Sequence, residues 1–76
     1  MNTEALLDDI FQSIFEWDSL PERASITKAN HEKWDSMMQL NLVSALESEF
    51  DIVIELDDAT AIDSYSSALN TVSKYL

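Results

Sequence analysis

Two serines in this chain stand behind a Trp-Asp pair: Ser19 in Trp17-Asp18-Ser19-Leu20, and Ser36 in Trp34-Asp35-Ser36-Met37. A serine hydroxyl can act as a nucleophile when a base sits beside it, or it can accept a group from another enzyme. No His, Cys or Lys is positioned as a base for either serine, so catalysis by the chain itself is not expected. Phosphate chemistry is a different matter. Ser36 is followed at once by the amphipathic run from Gln39 to Phe50, which sets its hydroxyl at the start of a predicted helix. A helix N-terminus has unpaired N–H groups and a partial positive charge, and it favours an attached or bound phosphate. Ser19 has Pro21 and Glu22 behind it and no apolar period. It would lie near the C-terminal, negative end of the preceding helix, which disfavours phosphate. Ser36 is the candidate.

The elements that must position Ser36 follow from apolar spacing. Leu6, Leu7, Ile10, Phe11, Ile14 and Phe15 recur at helical intervals, predicting a first helix over 3–15 with Asn2 or Thr3 as its cap. Residues 17–33 have no sustained period and include Pro21. They read as a long loop, with Leu20 and Ile26 anchoring it to the core. A second helix is predicted over 36–50, capped by Asp35 or Ser36. Its buried side is expected to be Leu40, Val43, Leu46 and Phe50, with Leu42 flanking. Met37, Asn41, Ser44 and Ser48 share the opposite stripe and should face solvent or a partner. Ile52-Val53-Ile54 reads as an extended connector burying Ile52 and Ile54. Asp57-Asp58 is expected to cap a short helical turn through Ile62, and Asp63 or Ser64 a final helix. That last helix carries Tyr65, Leu69, Val72, Tyr75 and Leu76 at helical spacing, with Lys74 complementing its dipole. The predicted fold is all-α: a small bundle of three main helices plus one short one. The chain has no glycine, so positive-φ turns are expected only where Asn or Asp supplies them.

Composition bounds the rest. Seventy-six residues make one domain, 1–76, whose core must be thin, because a chain this small buries only about 60% of its unfolded surface. There is no cysteine for a disulfide, and one histidine without cysteine excludes the usual zinc clusters; no metal site is expected. The N-terminal residues lack the basic start of a signal peptide, and no apolar run approaches the length that spans a bilayer. A soluble, cytoplasmic monomer is the expectation. Fifteen acids against four bases give a formal charge of −11, which disfavours nucleic acid and favours basic partners.

The segment around Ser36 resembles the acyl carrier protein family. In that family the serine of an Asp-Ser-Leu motif carries 4′-phosphopantetheine through a phosphodiester bond. Asp35-Ser36-Met37 is similar to that motif, with a volume-conserving Met for Leu. Leu46-Glu47-Ser48-Glu49-Phe50-Asp51-Ile52 is similar to the family's Leu-Glu-Glu-Glu-Phe-Gly-Ile stretch. The likeness in specific motifs covers about residues 34–52, and the element pattern extends it over the chain, including the long first loop.

The resemblance implies that a phosphopantetheinyl transferase modifies Ser36 from coenzyme A. The arm's thiol would then hold an acyl or aminoacyl group, loaded by a ligase or acyltransferase and passed to a downstream synthase or transferase. It also implies docking through the second helix, with Asp35, Met37, Met38, Asn41, Ser44 and Glu47 as the candidate contacts. Family members of fatty acid synthesis tend to carry acids along that helix. Here Asn41, Ser44 and Ser48 are neutral and Met38 is apolar, which suggests a dedicated carrier for secondary-metabolite, polysaccharide or lipid-modification chemistry. Trp34 is expected to anchor the loop to the core, Met38 to pack against the loop, and Met37 to be exposed. Tyr65 and Tyr75 should sit at the core edge with their hydroxyls in water, and His31 should be solvated. The main rival is a small acidic helical interaction module without a prosthetic group. An acidic nucleic-acid mimic fits less well with the neutral stripe. A calcium loop at 51–57 lacks the Gly and Glu of an EF-hand.

Overall fold

The computed structural model describes residues 2–76 and is a small all-α bundle. Its helices are α1 (Thr3–Phe15), α2 (Ser36–Phe50), α3 (Leu56–Ala61) and α4 (Tyr65–Tyr75), with 3-10 turns at Arg23–Ser25 and Lys28–Asn30 between α1 and α2.

α1 forms where the spacing predicts it. The Asn2 side chain accepts the Glu4 N–H at 2.9 Å, satisfying one of the helix's free donors. Leu7, Ile10, Phe11 and Phe15 are its buried line. The helix stops at Glu16, which takes a left-handed conformation with φ 57°, and the Trp17 N–H returns to the Gln12 carbonyl at 3.0 Å. α2 ends the same way, at Asp51 with φ 54° and the Ile52 N–H on the Glu47 carbonyl at 3.1 Å. Both are reverse-bonded helix ends of the kind glycine normally completes. Aspartate at such a position agrees with the sequence expectation. Glu16 corrects it, since a glutamate also adopts positive φ here.

The long loop is pinned rather than free. Ile26 is fully buried and Leu20 packs partly against the core. Thr27 and Ser64 form an antiparallel bridge; Lys28 N–H bonds the Asp63 carbonyl at 2.8 Å, and Tyr65 N–H the Ile26 carbonyl at 2.9 Å. The loop therefore ties itself to the α3–α4 junction and delivers the chain to α2 from a fixed point.

α2 is rotated from the expected face. Leu42 and Leu46 are its fully buried residues, Val43 and Phe50 are half-buried, and Leu40 is 67% exposed. The physical reason lies in the helix itself. Met37, Met38, Leu40, Leu42, Val43, Leu46 and Phe50 surround most of it with apolar groups, so spacing alone does not select a face. Packing against α1 and the loop selects the Leu42–Leu46 line.

The 51–55 connector is extended as expected, with Ile54 buried, Ile52 half-buried and Val53 outside. Asp57 and Asp58 do not cap α3. They lie in its first turn, where they favour the dipole, and Glu55 stands at the cap position without a side-chain bond. Ser64 caps α4: its hydroxyl accepts the Ser67 N–H at 3.0 Å while the Ser67 hydroxyl accepts the Ser64 N–H at 3.0 Å. Tyr65, Ala68 and Val72 bury its inner face; Leu76 follows the helix and is exposed, contrary to its expected place in the apolar line. Phe11 lies at the centre of the core. Its ring centroid is 6.0 Å from Phe15, 5.8 Å from Trp34 and 5.4 Å from Tyr65. No described helix is long and apolar enough to cross a membrane.

Candidate functional site at the start of the second helix

Trp34 fixes where α2 begins. Its indole is 2% exposed against Phe11 and Phe15, and its Nε1–H donates to Gln39 Oε1 at 2.6 Å. Gln39 then uses its amide nitrogen twice, donating to the Ala59 carbonyl at 2.8 Å and the Ile62 carbonyl at 2.9 Å. Only one amide orientation satisfies all three bonds, because an indole only donates and a carbonyl only accepts. One side chain thus ties together the loop before Ser36, α2 and both ends of α3's last turn. Sequence reasoning passed over Gln39, and no local spacing marks it, since its acceptors are twenty and more residues away.

Ser36 is the first helical residue of α2 and is exposed. The preceding Asp35 is the cap: its carboxylate accepts the Met38 N–H at 3.0 Å, and its carbonyl accepts the Gln39 N–H at 2.9 Å. The Ser36 and Met37 N–H groups, at the first two helical positions, have no acceptor within the helix. Among the described residues the Ser36 hydroxyl makes no hydrogen bond. A free hydroxyl, two free donors and the positive end of a 15-residue helix coincide at one exposed point. Ser19, by contrast, lies exposed in the bend after the carbonyl end of α1.

The predicted contact residues divide. Asp35, Met37, Asn41 and Ser44 are exposed, and Met37 at 68% is among the most exposed large apolar side chains. Met38 is half-buried against the core. Glu47 is also half-buried, and its carboxylate accepts the Ile54 N–H at 2.9 Å. It holds the connector against α2, so it offers a partner less charge than the sequence suggests.

The rotation of α2 creates a feature that the sequence reading missed. Ser36, Leu40, Val43 and Glu47 fall on one stripe at i, i+4, i+7 and i+11. Beside that stripe runs a cleft of about 300 Å³ between α2 and α3, lined by Gln39, Leu40, Val43, Ile54, Leu56 and Ala59. Leu56 is 77% exposed at its edge. The signal was present in the sequence as a second stripe one step round the helix from the Met37 line.

The displaced pKa values belong to two clamps away from Ser36. Tyr65 donates its hydroxyl to Asp8 at 2.6 Å, and the Arg23 guanidinium pairs with the same carboxylate at 2.6 Å. The Arg23 bond holds the Asp8 carboxyl below its ordinary value. Burial, then the bond to Asp8, pushes Tyr65 up to about 12. Tyr75 donates to Asp58 at 2.5 Å, with Lys74 at 3.0 Å, and these two partners lower the Asp58 pKa. Both tyrosine hydroxyls are bonded to carboxylates, and Tyr65 is buried in the core, not at its edge as the sequence suggested. His31 is corrected too: its ring lies 5.0 Å from Trp17 and 6.4 Å from Phe15, and its Nε2 is enclosed without a described partner. No group of three metal-ligating side chains occurs among the described residues.

Comparison of the chain with protein-family models, curated proteins and solved structures gave no match.

Proposed function

We infer that this chain is an acyl carrier protein: it carries an acyl or aminoacyl group on 4′-phosphopantetheine attached to Ser36 and presents it to partner enzymes. The single observation that supports this reading best is the state of Ser36. Its hydroxyl is exposed and unbonded, it heads a long helix, and Asp35 leaves the two N–H groups beside it free. A phosphodiester fits that chemistry, since the donors and the dipole both favour its charge. The arm would supply the thiol that this cysteine-free chain lacks. Ser36 serves as the acceptor and Asp35 as the cap that shapes the acceptor site. Gln39 and Trp34 hold the helix start in place. The α2–α3 cleft lies beside the Ser36 stripe and offers apolar shelter to a modest cargo through Leu40, Val43, Leu56 and Ala59. Met37, Asn41 and Ser44 present a neutral face to the loading enzyme and the transferase, consistent with a dedicated pathway of secondary-metabolite, polysaccharide or lipid-modification chemistry.

The test is a pair of variants exposed to coenzyme A and a broad-specificity phosphopantetheinyl transferase. Ser36→Ala should remain unmodified with its helix content intact, because Asp35 and not Ser36 caps the helix. Ser19→Ala should be modified like the parent. Loss of modification in the second variant and not the first would move the site to Ser19.

A further inference from the structure

We propose that the cleft between α1 and α2 is a docking site for a lysine- or arginine-bearing amphipathic helix of a partner protein. The cleft has a volume of about 290 Å³, just below the ~300–1,000 Å³ typical of small-molecule sites. It holds two or three side chains, which is what one face of a helix inserts. Its floor is Leu6, Ile10 and Ile14, spaced i, i+4 and i+8 along α1, with Ala45 of α2 opposite. That apolar line runs about 12 Å, or about two helical turns. Asp9 and Glu49 flank it, both exposed.

Charge decides the occupant. Of the chain's four basic residues, Arg23 pairs with Asp8 and Glu4, and Lys74 with Asp58. No described cation forms an ion pair with Asp9 or Glu49. A lysine or arginine laid across the cleft rests its methylenes on Leu6 and Ile14 and brings its charge to the two carboxylates. The −11 charge of the whole chain speeds that encounter. The recognition is of the helix-in-groove kind. It is separate from the carrier reading: Ser36 and Ala45 are nine residues apart on α2, about 180° around its axis, so occupation of one face leaves the other open.

The probe is a short amphipathic peptide of leucine and lysine, titrated into isotopically labelled protein while amide shifts are followed. Shifts should concentrate on residues 6–14 and 45–49. The double variant Asp9→Asn/Glu49→Gln should weaken binding about tenfold, as loss of two exposed ion pairs implies. A charge-matched control, Glu55→Gln/Asp57→Asn, removes two exposed carboxylates elsewhere and should weaken it less than about twofold, the screened effect of distant charge. Ser36→Ala should bind like the parent, which separates this surface from the modification site. Equal losses in the two double variants would show attraction by net charge alone and overturn the proposal. So would shifts centred on the Leu40–Leu56 cleft.

Discussion

Replacing Gln39 by leucine removes three hydrogen bonds through one side chain of similar bulk. The Trp34 indole N–H loses its acceptor at 2.6 Å, and the Ala59 and Ile62 carbonyls lose donors at 2.8 and 2.9 Å. A hydrogen bond contributes about 1 kcal/mol net, and a buried group left unpaired costs about 1–3 kcal/mol. Trp34 and Ile62 are buried while Gln39 is half-buried, so water can recover part of the loss. The expected destabilisation is about 2–4 kcal/mol, a large share of the roughly 4–11 kcal/mol usual for a chain of this size. Urea unfolding followed by tryptophan fluorescence reads it as a lower midpoint with an unchanged slope. Gln39→Glu sharpens the test. At neutral pH its carboxylate can still accept from Trp34 but faces two carbonyls without a donor. Those carbonyls favour the protonated form, which raises its folded pKa. Its deficit should therefore shrink below the ordinary glutamate pKa of about 4.3 and be fully felt as pH rises through the raised folded value. A Gln39→Leu loss below about 0.5 kcal/mol, the scale of a surface substitution, would refute the clamp.

Asp51→Gly should raise the urea midpoint, stabilising by about 0.5–1 kcal/mol, because glycine adopts the φ of 54° without a Cβ penalty; a lower midpoint would mean that the aspartate side chain contributes more than its strain costs. On the acid side, the lowered Asp8 and Asp58 pKa values stabilise the fold fully above 3.8. That contribution is lost as pH falls through their lower folded values, so acid unfolding of Asp8→Asn should show a shallower dependence on pH below 4. On the alkaline side, the Tyr65 pKa of about 12 gives a contribution present below 10 and lost between 10 and 12. Tyr65→Phe should remove that alkaline slope, as read by unfolding across the same range.

What the sequence made legible was local. The 3.6-residue period of α1 has one apolar stripe broken by Glu4, Asp8, Asp9 and Gln12, so only one face can be buried. Asp35-Ser36 ahead of an apolar run marked the start of α2, with Asp35 proving to be the cap, and Trp34 is buried as the anchor expected of it. The register of α2 was not legible, because apolar residues circle that helix and its neighbours choose among them. Nor were the clamps. Tyr65 finds Asp8 from fifty-seven positions away, and Gln39 reaches Ile62 from twenty-three. Such pairs leave no spacing signal; they exist only once the fold brings them together. Ser36 stood out as the candidate because its setting is a helix start. The cleft beside it depends on the rotation of α2, so it emerged only with the packing.

The central claim is tested most directly by incubating the purified protein with coenzyme A and a phosphopantetheinyl transferase of broad specificity, then measuring intact mass and mapping any adduct. The account predicts a gain of one phosphopantetheine, carried by the peptide containing Ser36. Unchanged mass of the folded protein, with a transferase that modifies a known carrier in the same tube, would contradict it.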